Sequence, residues 1–182
     1  PLIRASRNAK DIEIVRILIA AKADVNAADK YGTTPLMAAT NESLIDIAKL
    51  LIQAGANVNA VGDSYGTALM VAATHGRTEI AKLLMESKAD VCFMTKTSFN
   101  TKSALSIAAR NGHAEIVKKL IAANCHLNST EKIRWDDSPL ALAIGEKHTV
   151  VARILIKAKA DIAVMNYEGL TLLHRAAAFG NA

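Results

Sequence analysis

Histidine and cysteine are the residue types in this chain that could perform nucleophilic or metal chemistry. The chain has five histidines and two cysteines, which are His75, His113, His126, His148, His174, Cys92 and Cys125. Cys125 and His126 are adjacent, but four ligands at the spacing of a zinc site are absent, and no base stands at a fixed distance from either thiol. We expect ordinary buried or half-exposed thiols and predict no metal ion and no cofactor.

Other catalytic patterns are also missing from the sequence. The few glycines are dispersed among turns and form neither a phosphate-binding loop nor a dinucleotide fingerprint. The acidic residues recur at equivalent places along the chain, which is typical of structural repetition rather than of catalytic carboxylates. The sequence therefore predicts that this chain is not an enzyme and has no small-molecule substrate.

Three short phrases recur in constant order and define the elements that would position any site. The first begins with a hydroxyl residue, as in Thr-Pro-Leu-Met-Ala-Ala at 34–39. The second is of the type Glu-Ile-Ala at 79–81, and the third of the type Ala-Asp-Val-Asn at 23–26. The hydroxyl residues are Thr34, Thr67, Ser103, Ser138 and Thr171, at steps of 33, 36, 35 and 33 residues. The chain is therefore built from repeats.

These phrases resemble the ankyrin repeat family, whose unit of about 33 residues carries a Thr-Pro-Leu-His-x-Ala signature. The resemblance covers essentially the whole chain and implies an all-α fold, an ankyrin repeat solenoid of stacked helix-turn-helix units with projecting β-hairpin-like fingers. It implies one domain, 1–182, with a partial first repeat at 1–30, full repeats at 31–63, 64–99, 100–134 and 135–167, and a truncated sixth repeat at 168–182. His174, in the Leu-His step of the signature, would brace its own finger by hydrogen bonding.

Local chemistry explains why each repeat would form two helices. The hydroxyl residue accepts a hydrogen bond from an early backbone N–H of the first, inner helix, and Pro35 and Pro139 follow where a missing N–H costs nothing. The Ala pairs keep this inner helix thin, so neighbouring repeats can pack closely. The second, outer helix has apolar residues three and four apart, such as Ile47 and Leu51, with charges such as Lys49 on its other side.

The residues that end the outer helices depart from the family pattern, which usually has Gly in the left-handed conformation. Gly55 fits this pattern. In the other four repeats the place is taken by Lys22, Lys88, Asn124 and Lys159. Because a Cβ atom disfavours positive φ, we expect each lysine to cost on the order of 1 kcal/mol.

The segments between repeats, such as 27–33, are predicted to project as fingers. The segment 92–102 is three residues longer than the basic unit and 128–137 is two longer, and added backbone there need not disturb the helical core. Six of the seven aromatic residues map to fingers, namely Tyr31, Tyr65, Phe93, Phe99, Trp135 and Tyr167. Each tyrosine could instead pack on the adjacent finger, whereas Phe99 and Trp135, on lengthened fingers, favour partner binding.

The resemblance also implies a concave binding surface made of fingertips and the exposed side of the inner helices. The predicted partner-binding residues are Tyr31, Tyr65, His75, Phe99, Lys102, Arg110, Asn111, Arg134, Trp135, Glu146 and Tyr167. A partner that spans three or four repeats could bury roughly 800 Å² on each side, which is enough for specific association.

Composition restricts the class of partner. Hydrophobic residues make up 51% of the 182, which excludes a disordered tail, and the net charge of +5 is mild. Nucleic-acid binding stays open as an alternative, although the basic residues of the outer helices are interleaved with acidic ones and form no basic strip.

No apolar run is long enough to span a bilayer, and residues 1–10 hold no export signal, so membrane insertion is not expected. Two cysteines indicate a reducing compartment such as the cytoplasm.

The sequence therefore predicts a monomeric protein–protein interaction module, either an adaptor or the partner-selecting segment of a larger protein. An alternative is the targeting domain of a larger effector enzyme that engages host proteins in the host-cell cytoplasm, because abundant Ile, Lys and Asn are typical of an AT-rich genome. The chain begins after a repeat has started and stops before the last repeat's second helix. We expect flanking sequence for that reason, since terminal repeats normally carry polar caps.

Overall fold

Pairs of short helices joined by tight turns account for most of the structure, a computed structural model. It describes residues 1–63, 66–97, 100–128, 138–165 and 168–178, without the side chains of 96, 97, 100, 101 and 175. The contacts between residues group the chain into two units, Pro1–Asp90 and Val91–Ala182. The repeat boundaries predicted above stay predictions.

In the first unit, three helix pairs are stacked in two layers. Their bounds are α1 Leu2–Ala5, a 3-10 turn Ala9–Asp11, α2 Ile12–Ala20, α3 Pro35–Asn41, α4 Ile45–Gln53, α5 Ala68–His75 and α6 Thr78–Glu86. The inner helix α3 packs against both α1 and α5, and the outer helix α4 packs against both α2 and α6. Each pair therefore covers the apolar side of its neighbour.

The second unit begins with a β-hairpin and continues with helix pairs. Its elements are β1 Met94–Thr97, β2 Asn100–Ser103, α7 Ala104–Arg110, α8 Ala114–Ala122, α9 Pro139–Gly145, α10 Thr149–Lys157 and α11 Leu172–Ala178. The antiparallel strands pair Met94 with Ser103 and Thr95 with Lys102. The inner helix α9 packs against α7 and α11, and the outer helix α10 packs against α8.

The hydroxyl residues begin the inner helices, as their sequence phrase predicts. Each has an extended backbone, and its side-chain oxygen accepts a hydrogen bond from the N–H three residues later. The oxygen-to-nitrogen distances are 3.3, 3.4, 3.1 and 3.5 Å for Thr34, Thr67, Ser103 and Ser138. The predicted cap chemistry is confirmed at these four helices.

Small and branched side chains divide the core between the two helix layers. The alanines of the inner helices α3, α5, α7 and α9 are buried, and Ala39, Ala73, Ala109 and Ala143 are completely inaccessible to solvent. Every outer helix of the full repeats contributes one completely buried leucine at an equivalent place, namely Leu51, Leu84, Leu120 and Leu155. The charged residues predicted for the other side, Lys49, Lys82, Lys118 and Arg153, are exposed.

Apart from the fingers, left-handed backbone recurs at two places in each full repeat. After the outer helices, φ is 90° at Gly55, 59° at Lys22, 65° at Lys88, 58° at Asn124 and 66° at Lys159. The predicted positive φ of these lysines is therefore confirmed. The turn between inner and outer helices is the second place, where Gly76 and Gly112 are matched by Ser43 and Lys147 with φ of 60° and 61°. The residue types of Ser43 and Lys147 do not predict this conformation.

Candidate partner-binding surface

The first finger is built around the side chain of Asp29. Its Oδ1 accepts hydrogen bonds from the backbone N–H of Tyr31 and of Thr33, both at 2.9 Å. The backbone closes the same turn, since the Asp29 N–H donates to the Thr33 carbonyl at 3.1 Å. The hydrogen bond from the Thr33 backbone holds the pKa of Asp29 below its ordinary value of 3.8. The carboxylate therefore stays charged and fixes the finger near neutral pH.

The first two fingers approach each other backbone to backbone. The Asp63 N–H donates to the Tyr31 carbonyl at 3.1 Å. A Cβ atom added to Gly32 would lie 2.9 Å from Gly62 Cα, and one added to Gly62 would lie 2.9 Å from the Gly32 oxygen. Both glycines are therefore required for this contact, which sets the spacing of the fingertips.

Tyr31 stands on the first finger with its ring available to a partner. The residue is 52% exposed, and the Lys30 ammonium lies 4.8 Å from the ring centroid. A cation above one face stabilises the ring and leaves its remaining surface exposed. The assignment of Tyr31 as a partner-binding residue stays a prediction.

Asparagines at the base of the fingers connect one repeat to the next. Asn26 Oδ1 accepts from the Asn57 N–H at 2.7 Å, and Asn59 Oδ1 accepts from the Asp90 N–H at 2.7 Å. In the second unit, Asn128 Oδ1 accepts from Asp161 N–H at 2.9 Å. These asparagines belong to the third recurring phrase of the sequence, but the phrase does not predict their role. Their bonds join residues 31 to 33 positions apart, which local pattern does not indicate.

The inner helices end in exposed side chains at one repeated position, eight residues after the N-cap. In the first unit, His75 occupies this position as the last residue of α5, and in the second unit Asn111 and Glu146 occupy it directly after α7 and α9. All three are exposed, and so is Arg110 beside Asn111. Because α7 packs against α9, Asn111 and Glu146 lie at corresponding ends of neighbouring helices.

Glu42 holds the same position after α3, is exposed, and was missed by the sequence analysis. It lines a concavity of about 180 Å³ in the first unit together with Arg7 and Asn41. The eight-residue spacing from Thr34 is the signal that would have found it. Charged and amide groups in one concavity can position a polar partner group.

Lys102 lies on β2 of the second unit and is exposed. Its carbonyl accepts a hydrogen bond from Thr95 Oγ1 on β1 at 3.4 Å. The lengthened segment therefore contains a β-hairpin that carries a basic side chain.

Five predicted binding residues lie outside the described part of the chain, and their assignment stays a prediction. They are Tyr65, Phe99, Arg134, Trp135 and Tyr167.

The residues with reactive side chains make structural contacts. His174 Nδ1 accepts from the Thr171 N–H at 3.2 Å and lies 2.9 Å from its hydroxyl, so it braces the start of its own helix. Cys125 is buried with Sγ 3.2 Å from the Val91 carbonyl, and Cys92 is half-buried. Among the described residues, no three His, Cys, Asp or Glu side chains cluster as metal ligands would.

No helix of the described part of the chain is long and apolar enough to cross a membrane.

Comparison with known proteins identifies the repeat. A family model described as ankyrin repeats (3 copies) matches residues 2–95 and 99–182. The chain belongs to the ankyrin repeat family. The resemblance and the helical repeat fold derived from the sequence are therefore confirmed. Ankyrin repeats are protein–protein interaction modules, and their fold is not itself catalytic.

Curated relatives share only part of the chain. It is 39% identical over 62 residues to the mitochondrial liver isoform of glutaminase from Mus musculus, and 37% identical over 62 residues to that from Rattus norvegicus. Each match covers 34% of this chain and 10% of the relative. The chain thus spans about a tenth of the length of these relatives. The match covers only the ankyrin region, so it carries no evidence on glutaminase activity.

Proposed function

We propose that this chain selects a protein partner, as an adaptor or as the recognition segment of a larger protein, through its fingers and the exposed ends of its inner helices. One observation carries the proposal. The position eight residues after each N-cap is exposed in four repeats and carries three residue types, as Glu42, His75, Asn111 and Glu146. The buried position five residues after each N-cap keeps alanine in all four, as Ala39, Ala72, Ala108 and Ala143.

This contrast is what recognition on a fixed scaffold requires. Stacking of the repeats constrains the alanines, because a larger side chain would push neighbouring inner helices apart. It does not constrain the exposed helix ends, so their charge and hydrogen-bonding groups can match a partner. Tyr31 adds an exposed aromatic side chain, a type enriched among residues that dominate interface energies.

The charges on the outer helices favour a protein over a nucleic acid. Three of the basic residues there form ion pairs with a carboxylate one turn away, Arg16 with Glu13 at 3.3 Å, Lys82 with Glu86 at 3.8 Å and Lys118 with Glu115 at 2.7 Å. The hydrogen bond from Lys118 lowers the pKa of Glu115, so this pair stays ionised at neutral pH. Paired charges give little of the net positive field that phosphate backbones need.

Quantitative affinity capture from a lysate tests the proposal. The bait is compared with Tyr31→Ala/His75→Ala in the first unit and with Phe99→Ala/Trp135→Ala, the pair predicted from the lengthened fingers. Lys49→Ala on the exposed side of α4 is the matched control. We expect a set of proteins that the bait and the control retain and that at least one double variant loses, with helical circular dichroism unchanged.

Two outcomes would contradict the proposal. If both double variants retain every captured protein, recognition does not use the fingers and inner-helix ends. If capture disappears after nuclease treatment and falls steeply as salt is raised, the partner is a nucleic acid.

A further inference from the structure

Cys92 takes the place of an asparagine that connects one repeat to the next. In the repeat before, Asn59 Nδ2 donates a hydrogen bond at 3.4 Å to the carbonyl of Lys88, the left-handed residue that follows α6. Cys92 stands at the corresponding place in its own repeat, and its Sγ lies 3.8 Å from the carbonyl of Asn124, the left-handed residue that follows α8. The thiol therefore contacts the same place on the next repeat as the asparagine does.

Cys125 lies on the other side of the same junction. In the other four repeats this place, directly after the left-handed residue, holds alanine. Cys125 is 6% exposed, and its Sγ lies 3.2 Å from the Val91 carbonyl. That carbonyl belongs to the peptide bond that precedes Cys92, just as the Asn124 carbonyl belongs to the one that precedes Cys125. Each sulfur therefore lies within one peptide unit of the other cysteine.

Both cysteines of the chain meet at this one junction, inside the second unit. Chance placement of two cysteines among 182 residues does not lead one to expect such a pair. Both side chains are reduced thiols in this structure. A disulfide requires Cα atoms within about 7 Å of each other. Reciprocal contacts that each run through a single peptide unit are compatible with that separation.

We propose that Cys92 and Cys125 form a thiol modification site, which a disulfide oxidant of the class of glutathione disulfide converts into a reversible bond between neighbouring repeats. Cys92 is half-buried and can be reached by the oxidant, whereas Cys125 is buried. Cys92 is therefore the thiol that reacts first, and Cys125 is the thiol that completes the bond.

The reaction is two successive exchanges of sulfur partners. The Cys92 thiolate attacks one sulfur of glutathione disulfide, forms a mixed disulfide, and releases a glutathione thiolate that takes up the proton lost by Cys92. The Cys125 thiolate then attacks the Cys92 sulfur and releases the second glutathione, which takes up the proton lost by Cys125. Two protein thiols lose two electrons in total, and one glutathione disulfide becomes two glutathione thiols.

The bond fixes the base of the lengthened segment 92–102, which begins at Cys92 and continues into β1. It closes a loop from Cys92 to Cys125, which removes conformations from the unfolded chain and so stabilises this unit. In a reducing compartment the glutathione pool keeps both thiols reduced, and the bond forms as that pool becomes oxidised.

The test exposes the folded chain to glutathione disulfide at neutral pH and stops the reaction with acid. Remaining thiols are alkylated in denaturant and counted by intact-mass spectrometry, and non-reducing peptide mapping locates any cross-link. Analytical ultracentrifugation gives the mass of the assembly. Cys92→Ser and Cys125→Ser are treated in parallel, with the fold of each checked by circular dichroism. Cys125→Ala, which has the residue of the other repeats, replaces Cys125→Ser if that variant fails to fold.

We expect the unchanged chain to lose both thiols, retain no glutathione, and yield a cross-linked peptide that contains Cys92 and Cys125. Cys125→Ser should stop at the mixed disulfide, with one glutathione on Cys92. Cys92→Ser should react at least about tenfold more slowly, because the remaining thiol is buried. Excess reduced glutathione should restore both thiols. The Tm of the oxidised chain should exceed that of the reduced chain by at least about 5 °C.

Three results would overturn the proposal. The first is glutathione that stays on Cys92 in the unchanged chain, since Cys125 would then be out of reach. The second is a disulfide between two chains, seen as a doubled mass. The third is a folded chain that keeps both thiols under conditions in which the urea-unfolded chain loses them. None of these would affect the proposed function, because capture of a partner is measured with the reduced protein.

Discussion

Glycine in place of Lys22, Lys88 and Lys159 should stabilise the chain. The three lysines have φ of 59°, 65° and 66°, a conformation that glycine adopts without strain. Gly55 occupies the same place after α4 with φ of 90°. All three lysines are exposed, so removing their side chains leaves no buried cavity. The backbone hydrogen bonds of these residues, such as Lys88 N–H to the Met85 carbonyl at 3.1 Å, remain available to glycine.

The expected gain is the difference between two opposing effects. A residue with a Cβ atom loses about 1–2 kcal/mol in the left-handed conformation. Glycine in turn loses about 0.4–1 kcal/mol more backbone entropy when the chain folds. The net gain is therefore about 1 kcal/mol at each site. Because the sites lie in different repeats, the gains should add to about 3 kcal/mol, or a rise in Tm of about 6–12 °C.

Urea unfolding followed by far-UV circular dichroism measures the change. The midpoint should rise for each single variant and most for the triple variant, while the slope m stays constant, because the surface exposed on unfolding is unchanged. Thermal melts of the same proteins give Tm. Lys→Ala at the same three positions is the matched control, since alanine removes the charge and keeps the Cβ atom.

The reverse substitution completes the test. A Cβ atom added to Gly55 would have no other atom within 4 Å, so Gly55→Ala changes backbone strain without a steric clash. We expect it to lose about 1 kcal/mol. Equal gains from Lys→Ala and Lys→Gly would show that charge, not backbone strain, is responsible. Unchanged or lowered stability in all three Lys→Gly variants would refute the reasoning altogether.

Two further predictions concern the inner–outer turn and the first finger. Gly112→Ala should lower the urea midpoint more than Gly55→Ala does, because its Cβ atom would lie 2.6 Å from His148 Nδ1 in addition to holding φ of 74°; an equal loss would mean that the imidazole moves aside at no cost. The Asp29 carboxylate, whose pKa is lowered by the hydrogen bond from the Thr33 backbone, should stabilise the finger above the ordinary pKa of 3.8 and lose this effect as pH falls through its lowered value. The protection of the Thr33 amide from hydrogen exchange, measured by NMR and corrected for intrinsic rates, should therefore fall only below about pH 4. Protection that stays constant at still lower pH would contradict this prediction.

Local sequence accounts for much of the fold. Thr34 and Ser138, each followed by Pro, begin helices because a cap hydrogen bond spans only three residues. The positive φ of Lys88 follows from its place at a helix end, which the repeat period reveals. The binding residues were predicted less completely. Glu42 was missed because the argument from resemblance was applied to three repeats and not to the second.

Local sequence does not predict the contacts between repeats. The approach of Gly32 to Gly62 joins residues thirty positions apart, and nothing near either glycine indicates the other. His148 is half-buried, and its ring lies where a side chain at Gly112 would stand. Both contacts depend on how closely successive repeats stack.

The sequence by itself determined the repeat, its helix pairs, their caps and their strained ends, because each of these depends on residues within one turn or one period of each other. Tertiary structure alone decided the spacing of the first two fingers and the asparagine bonds from repeat to repeat. These features arise only when separately formed helices are packed, since packing sets which distant backbone groups meet.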